Sequence, residues 1–99
     1  MQNPALPSYC KHNTDGDNES VTVTLAKGIT VSGEKRKEIT LREPTAGDNM
    51  AARQMAKGDN AAHEITLIAN LADLSPAEVQ TAPMRDYRRL QEALDFLNG

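Results

Sequence analysis

The chain has 99 residues, a formal net charge of −3, 38% apolar residues and 3% aromatic residues. With no Trp and one Phe, a domain of this size must build its small core from aliphatic side chains. The net negative charge disfavours tight, charge-driven binding to nucleic acid or to an anionic membrane, so a protein partner is the expectation.

The N-terminal region contains the single cysteine, Cys10. One cysteine cannot form an internal disulfide, and this usage is typical of a reducing cytoplasm. No apolar run approaches the ~20 residues that span a bilayer, and the N-terminus lacks the features of a signal peptide. We therefore expect a soluble, unexported protein that does not bind membranes.

Residues 1–20 mix Pro, Asn, Asp, Gly and Ser with scattered hydrophobic residues that follow no period. Such a segment offers too little apolar burial to offset the entropy lost on ordering. The sequence therefore predicts a disordered polar tail over residues 1–20 and one folded domain over residues 21–99.

Three runs of alternating apolar and polar residues follow the tail, at residues 21–26, 29–32 and 39–42. This two-residue period predicts half-buried strands, and the second and third runs favour a hairpin that turns near residues 33–36. Lys27-Gly28 separates the first two runs and leaves two alternatives open. It is either a tight turn between two strands or a bulge within one long strand.

The residues around Pro44 predict a joint between the sheet and the first helix. Pro44 disfavours helix at Glu43, while Thr45 and Asp48 have the spacing of a capping box at the start of a helix. We expect Arg42 to pair with Asp48 across this turn and to hold the sheet against the helix.

The remaining chain predicts helices separated by clear stop and start signals. Lys57-Gly58 ends the first helix, with the glycine taking the left-handed conformation that Lys resists. A second helix is expected over residues 60–73, a short helical turn over residues 76–80, and a last helix over residues 84–97. The predicted fold is α+β, with a small antiparallel sheet of two or three strands followed by three main α-helices and the short turn, packed on one sheet face.

Two apolar stripes run along the second helix, which is more than a surface helix needs, and one narrow stripe runs along the last helix. The surplus predicts a groove that binds a helix of another protein, although core packing is the alternative and is favoured for Ile65, Ile68, Leu90 and Leu94. Self-association would compete for the same surface. The predicted partner-binding residues are Leu67, Leu71, Leu74, Tyr87, Leu90, Leu94, Phe96 and Leu97.

No residue pattern supports catalysis, a metal or a cofactor. His63-Glu64 lacks the second histidine of the zinc-protease motif, and Cys10 with His12 supplies too few ligands for zinc. Residues 15–19 resemble part of a calcium loop that lacks its final glutamate. We therefore expect a protein that is not an enzyme.

Three arginines lie on one side of the last helix: Arg85, Arg88 and Arg89. They suggest an alternative function, that of a small regulator that binds nucleic acid through this helix. Asp86 and Glu92 lie close enough to weaken the positive patch, so this alternative ranks below protein binding.

Several segments together resemble a known family: residues 29–33, ITLREPTAGD at residues 39–48, EITLIANLADLS at residues 64–75, and MRDYRRLQEALDFL at residues 84–97. In order and spacing they are similar to the small tail assembly chaperones of contractile-tailed, Mu-like and related phages and prophages. The resemblance covers about residues 21–99 and leaves residues 1–20 unexplained.

The resemblance implies a non-enzymatic role in the cytoplasm of a bacterial host. Proteins of this family are encoded just ahead of the tape measure protein, a long helical rod, and are thought to keep it soluble until the tail tube polymerises. In many such phages a ribosomal frameshift adds a C-terminal domain, and this chain is expected to be the short form. The family role also implies absence from the mature virion, whereas a structural tail component would remain there.

Overall fold

The computed structural model describes residues 6–99 and has an α+β fold, as predicted. A three-stranded antiparallel sheet, in the order β1-β2-β3, comprises β1 (Cys10–Asp15), β2 (Asn18–Val31) and β3 (Glu34–Arg42). Three main helices and one short helix follow the sheet: α1 (Ala46–Ala56), α2 (Asn60–Ala72), α3 (Pro76–Val79) and α4 (Met84–Asn98).

The prediction of a disordered tail is wrong for residues 10–20, and residues 1–5 lie outside the described residues. β1 pairs with β2 from Cys10 opposite Val23 to Asp15 opposite Asn18. As an edge strand, β1 obtains its backbone hydrogen bonds from one neighbour and needs few apolar side chains of its own. The apolar period that reveals a central strand is therefore absent from its sequence.

The first two predicted runs belong to one long strand, β2, which contains a bulge at Lys27-Gly28. The register between β2 and β3 shifts between Thr24 and Ile29, which settles the open alternative in favour of the bulge. The hairpin then turns at Ser32 and Gly33, slightly earlier than predicted, with φ angles of 52° and 81°. Positive φ at both turn residues matches the twist of the flanking strands.

Gly28 has two reasons to be glycine. Its φ is +93°, and a Cβ at this position would lie 2.8 Å from the carbonyl oxygen of Arg36 in β3. We expect Gly28→Ala to lower the free energy of unfolding by about 2 kcal/mol, because the backbone of β3 must move to relieve this contact. Urea denaturation measures the change.

Gly33→Ala is the matched control for this prediction, because Gly33 also has a positive φ but a Cβ there meets nothing within 4 Å. The control should cost about 1 kcal/mol, from the backbone conformation alone. Equal losses in the two variants would show that the close approach to Arg36 is unimportant.

The joint between β3 and α1 forms as predicted. Asp48 N–H donates to Thr45 Oγ1 at 3.1 Å, and Thr45 N–H donates to Asp48 Oδ2 at 2.9 Å. Arg42 donates two hydrogen bonds to the same carboxylate, at 2.7 and 2.9 Å. At the other end of α1, Lys57 itself takes the left-handed conformation, with φ 53°, and so does Gly58 after it.

The core lies between the inner face of the sheet and the helices. α2 and α4 cover this face, and α1 packs mainly on α2; Ala52 and Ala56 are the buried residues of α1. Alternation along β2 and β3 places six apolar side chains inward, each at most 2% exposed: Val21, Val23, Leu25, Ile29, Ile39 and Leu41. At the far end of β3, residues 34–38 form an exposed, highly charged edge.

Asp86, in the first turn of α4, joins this helix to the bulge of β2. The side chain is fully buried, and its carboxylate accepts hydrogen bonds from the backbone N–H groups of Ala26, Lys27 and Gly28 at 2.6, 2.9 and 2.9 Å. Burial raises the pKa of Asp86, but the three donors outweigh it and the net pKa is lowered. The sequence pattern had indicated Asp86 only as a charge that weakens the arginine patch.

Candidate partner-binding groove

A groove opens between α2, α3 and α4. We call it the α2–α4 groove; its volume is about 400 Å³. Three polar residues, Glu64, Gln80 and Gln91, share the lining with six apolar residues: Ala61, Ile65, Val79, Ala82, Met84 and Tyr87. Concave sites with apolar walls and few polar groups are the usual form of a binding site.

The short helix α3 helps to create this groove. Ser75 caps α3 by accepting from Glu78 N–H at 3.1 Å, and Glu78 Oε1 accepts from Ser75 N–H at 2.9 Å, which is the predicted capping box. Pro83 then precedes α4. This connection between α2 and α4 carries Val79, Gln80 and Ala82 to the groove wall.

A hydrogen-bonded cluster fixes the polar part of the α2–α4 groove. The Tyr87 hydroxyl donates to Glu64 Oε1 at 2.5 Å, and Gln91 Nε2 donates to the same oxygen at 2.7 Å. Burial and the bond to Glu64 raise the pKa of Tyr87, so its hydroxyl stays protonated and continues to donate. The cluster therefore holds α2 and α4 at a fixed separation.

Methionines provide the exposed apolar surface. Met84 lines the groove and is 62% exposed, whereas Met50 and Met55 on α1 lie outside its lining and are 62% and 61% exposed. Methionine is unbranched and flexible, so it adapts to differently shaped partners. An exposed methionine at an apolar groove is suited to binding varied helical surfaces.

Four of the predicted partner-binding leucines lie in the core. Leu67, Leu71, Leu90 and Leu94 are 6%, 3%, 0% and 4% exposed, respectively, and offer no surface to a partner in this structure. For α2 the reason is its position, because it contacts both α1 and β3. A helix covered on two sides buries two apolar stripes, so the surplus seen in the sequence is largely used within the chain.

The other four predicted residues, Leu74, Tyr87, Phe96 and Leu97, are partly buried against the core. Of these, Tyr87 lines the α2–α4 groove. Ile65 had been expected in the core but is partly buried and lines the groove as well. The structure therefore moves the candidate surface toward the start of α4.

Phe96 lies beneath the N-terminal region. The ring of His12 in β1 meets Phe96 edge to face, with centroids 4.9 Å apart. Nearby, the Tyr9 hydroxyl donates to Glu92, a bond that, with burial, raises the pKa of Tyr9 to about 12. Residues 9–12 thus contact the C-terminal half of α4 through the side chains of Tyr9 and His12.

The three arginines of α4 do not form one free patch. Arg89 donates to the backbone carbonyl of Thr24 at 2.8 Å, and its guanidinium lies 4.2 Å from the ring centroid of Tyr9. Arg85 and Arg88 are exposed. The geometry therefore gives the nucleic-acid alternative no additional support.

The residues that were considered as metal ligands in the sequence lie in different parts of the fold. His63 Nε2 contacts Asn49 Oδ1 at 2.9 Å and joins α2 to α1, while His12 Nε2 contacts Glu19 at 2.8 Å. The calcium-loop fragment forms the turn between β1 and β2. Within residues 6–99, no group of three or more His, Cys, Asp or Glu side chains is placed to hold a metal ion.

A small α+β domain with an apolar groove among its helices offers the kind of concave surface at which an amphipathic helix can dock. Residues 22–99 match the model of a family described as phage tail assembly chaperone proteins, E, or 41 or 14. The chain belongs to this family, which confirms the resemblance seen in the sequence.

No curated protein and no solved structure matches the chain. In the described part of the chain, no helix combines the length and apolar character needed to cross a membrane.

Proposed function

We propose that this tail assembly chaperone binds the tape measure protein and keeps it soluble during tail morphogenesis. It acts in the cytoplasm of the bacterial host, performs no catalysis and leaves before the virion matures. Family membership supports the chaperone role. One observation supports a helical partner in particular: the α2–α4 groove is mainly apolar, and the exposed Met84 belongs to its lining.

The proposed binding mode is a helix in a groove. Apolar side chains of the rod, spaced three and four residues apart, contact Ile65, Val79 and Met84. The groove holds only a few side chains, so each contact is weak and reversible. Many copies along one rod keep it covered, and tube subunits displace them as they polymerise.

A longer, frameshifted form of the chain is part of the proposal. It carries the same groove and joins the same complex, adding a second domain to the coat on the rod. Mass spectrometry of the complex isolated from phage-producing cells tests this by the presence of peptides from an extended C-terminus.

The direct test is co-expression with the long helical tail protein encoded beside this chain. We expect that protein to be soluble with the wild-type chain and largely insoluble with Met84→Asp, since a charge in the apolar groove should weaken binding about ten-fold. Aspartate at the start of a helix is itself well tolerated, so α4 should still form. The soluble fraction of the tail protein is the measurement.

Met50→Asp is the matched control, because Met50 has the same exposed fraction as Met84 but lies on α1, outside the groove lining. It should retain wild-type activity. A tail protein that is no more soluble with the wild-type chain than without it would refute the chaperone proposal. Equal loss with both aspartate variants would place the binding surface elsewhere.

Purified virions test the proposed departure of the chaperone. We expect no peptide of this chain in their mass spectra. Its presence in stoichiometric amounts would instead identify a structural tail component.

A further inference from the structure

Glu64 is the charged side chain among the described residues that line the α2–α4 groove. Both hydrogen bonds that reach it, from Tyr87 and Gln91, end on Oε1. Within residues 6–99, no hydrogen bond to Oε2 is found. A side chain that lines the groove and is held by two neighbours thus keeps one carboxylate oxygen without a hydrogen bond from the described residues.

A purely apolar partner would be a poor match for this arrangement. Seating it would remove water from the Glu64 carboxylate without supplying a replacement donor, which is costly for a charged group. A lysine or arginine on the partner would replace the lost water with a charge-assisted hydrogen bond. Favourable binding therefore requires a cation at one position and apolar side chains around it.

We propose that the occupant of the α2–α4 groove is an amphipathic helix with a lysine or arginine inside its apolar stripe, and that Glu64 selects this helix by binding the cation. This inference rests on the proposed function and names the segment of the tail protein that is bound. Tyr87 and Gln91 are positioning residues that orient the carboxylate. Met84 and Ile65 contact the apolar residues that flank the cation three or four positions away.

Overlapping peptides that cover the neighbouring tail protein provide the probes. The tightest-binding peptide is compared with a version in which its lysine or arginine is replaced by glutamine. Each is titrated against the wild-type chain and Glu64→Gln by fluorescence anisotropy. Glutamine keeps an oxygen that accepts from Tyr87 and Gln91, and thermal unfolding checks that the fold is retained.

We expect either single change to weaken binding about ten-fold and the two changes together to cost little more, because both remove the same charge-assisted bond. Rising salt should weaken binding by the wild-type chain more than by Glu64→Gln. Glu38→Gln makes the same change in net charge on the exposed part of β3, outside the groove lining, and should bind like the wild type.

The possible failures are distinguishable. If the peptides bind but the effects of Glu64→Gln and of the peptide change simply add, Glu64 does not contact the cation, and this inference is wrong while the proposed function stands. If the tightest-binding peptide contains no lysine or arginine, this inference is also wrong and the proposed function also stands. If no peptide binds and the intact tail protein also gains no solubility, both proposals fail.

Discussion

Asp86→Ala is expected to lower the free energy of unfolding by about 3 kcal/mol, which is a large part of the 5–15 kcal/mol typical of a whole domain. The substitution leaves the N–H groups of Ala26, Lys27 and Gly28 without their acceptor, at a site that is buried at Gly28 and partly buried at the other two. It also disconnects α4 from the bulge of β2. Urea denaturation followed by circular dichroism measures the loss.

Two further variants sharpen this prediction. Asp95→Ala removes an exposed carboxylate from the same helix and should change stability by less than about 0.5 kcal/mol. Asp86→Asn keeps one accepting oxygen but turns an amide N–H group toward backbone donors, so its loss should approach that of alanine. If Asp86→Ala and Asp95→Ala have similar free energies of unfolding, the bulge does not depend on the Asp86 carboxylate.

Acid provides an independent check on the role of Asp86. Because the pKa of Asp86 is lower in the folded chain than in the unfolded chain, its contribution is complete above the unfolded-state pKa of about 4 and is lost as pH falls through the folded-state pKa. The wild type should therefore lose more stability below about pH 4 than Asp86→Ala does. Asp48, whose pKa is also lowered, is present in both chains, so its effect cancels in the difference.

A chain shortened to residues 16–99 is expected to lose about 3 kcal/mol and to self-associate. The deletion removes β1, exposes the edge of β2, and uncovers Phe96. It also removes Leu6, Tyr9 and Cys10, which pack against the core. Denaturation and size-exclusion chromatography with light scattering measure the two effects.

Tyr9→Phe separates packing from hydrogen bonding in this region. It keeps the ring beneath Arg89 but removes the bond to Glu92, and at this exposed site it should cost about 1 kcal/mol or less. The family match begins at residue 22, after β1. A shortened chain that stays monomeric and as stable as Tyr9→Phe would show that β1 is a passive addition.

Local signals in the sequence predicted most of the helices. The pairs Thr45 with Asp48 and Ser75 with Glu78 act across three residues, so a short window contains both partners of each capping box. The contact between Asp86 and Ala26 spans 60 positions, and no local pattern reveals it. For the same reason β1 was missed, since its order depends on β2 and α4 rather than on its own composition.

The candidate site was harder to predict than the fold. Counting apolar residues correctly showed that α2 has more than one stripe, but it could not show whether a partner or another helix of the same chain covers the second one. The structure packs α2 against α1, α3 and β3, and Leu67 and Leu71 are core residues. The groove instead depends on the path of residues 73–83 between two helices, which periodicity does not describe.

The charged end of β3 has a consequence for crowding. Under the proposed function, chaperone copies on one rod would sit side by side at high local concentration, where bare sheet edges can join neighbouring molecules into fibres. Glu34, Lys35, Arg36, Lys37 and Glu38 are all exposed along this edge. Any neighbour that tried to extend the sheet at this end of β3 would have to strip water from this row of charges. If the rod is covered as proposed, this charged edge of β3 would help the neighbouring copies to remain separate molecules.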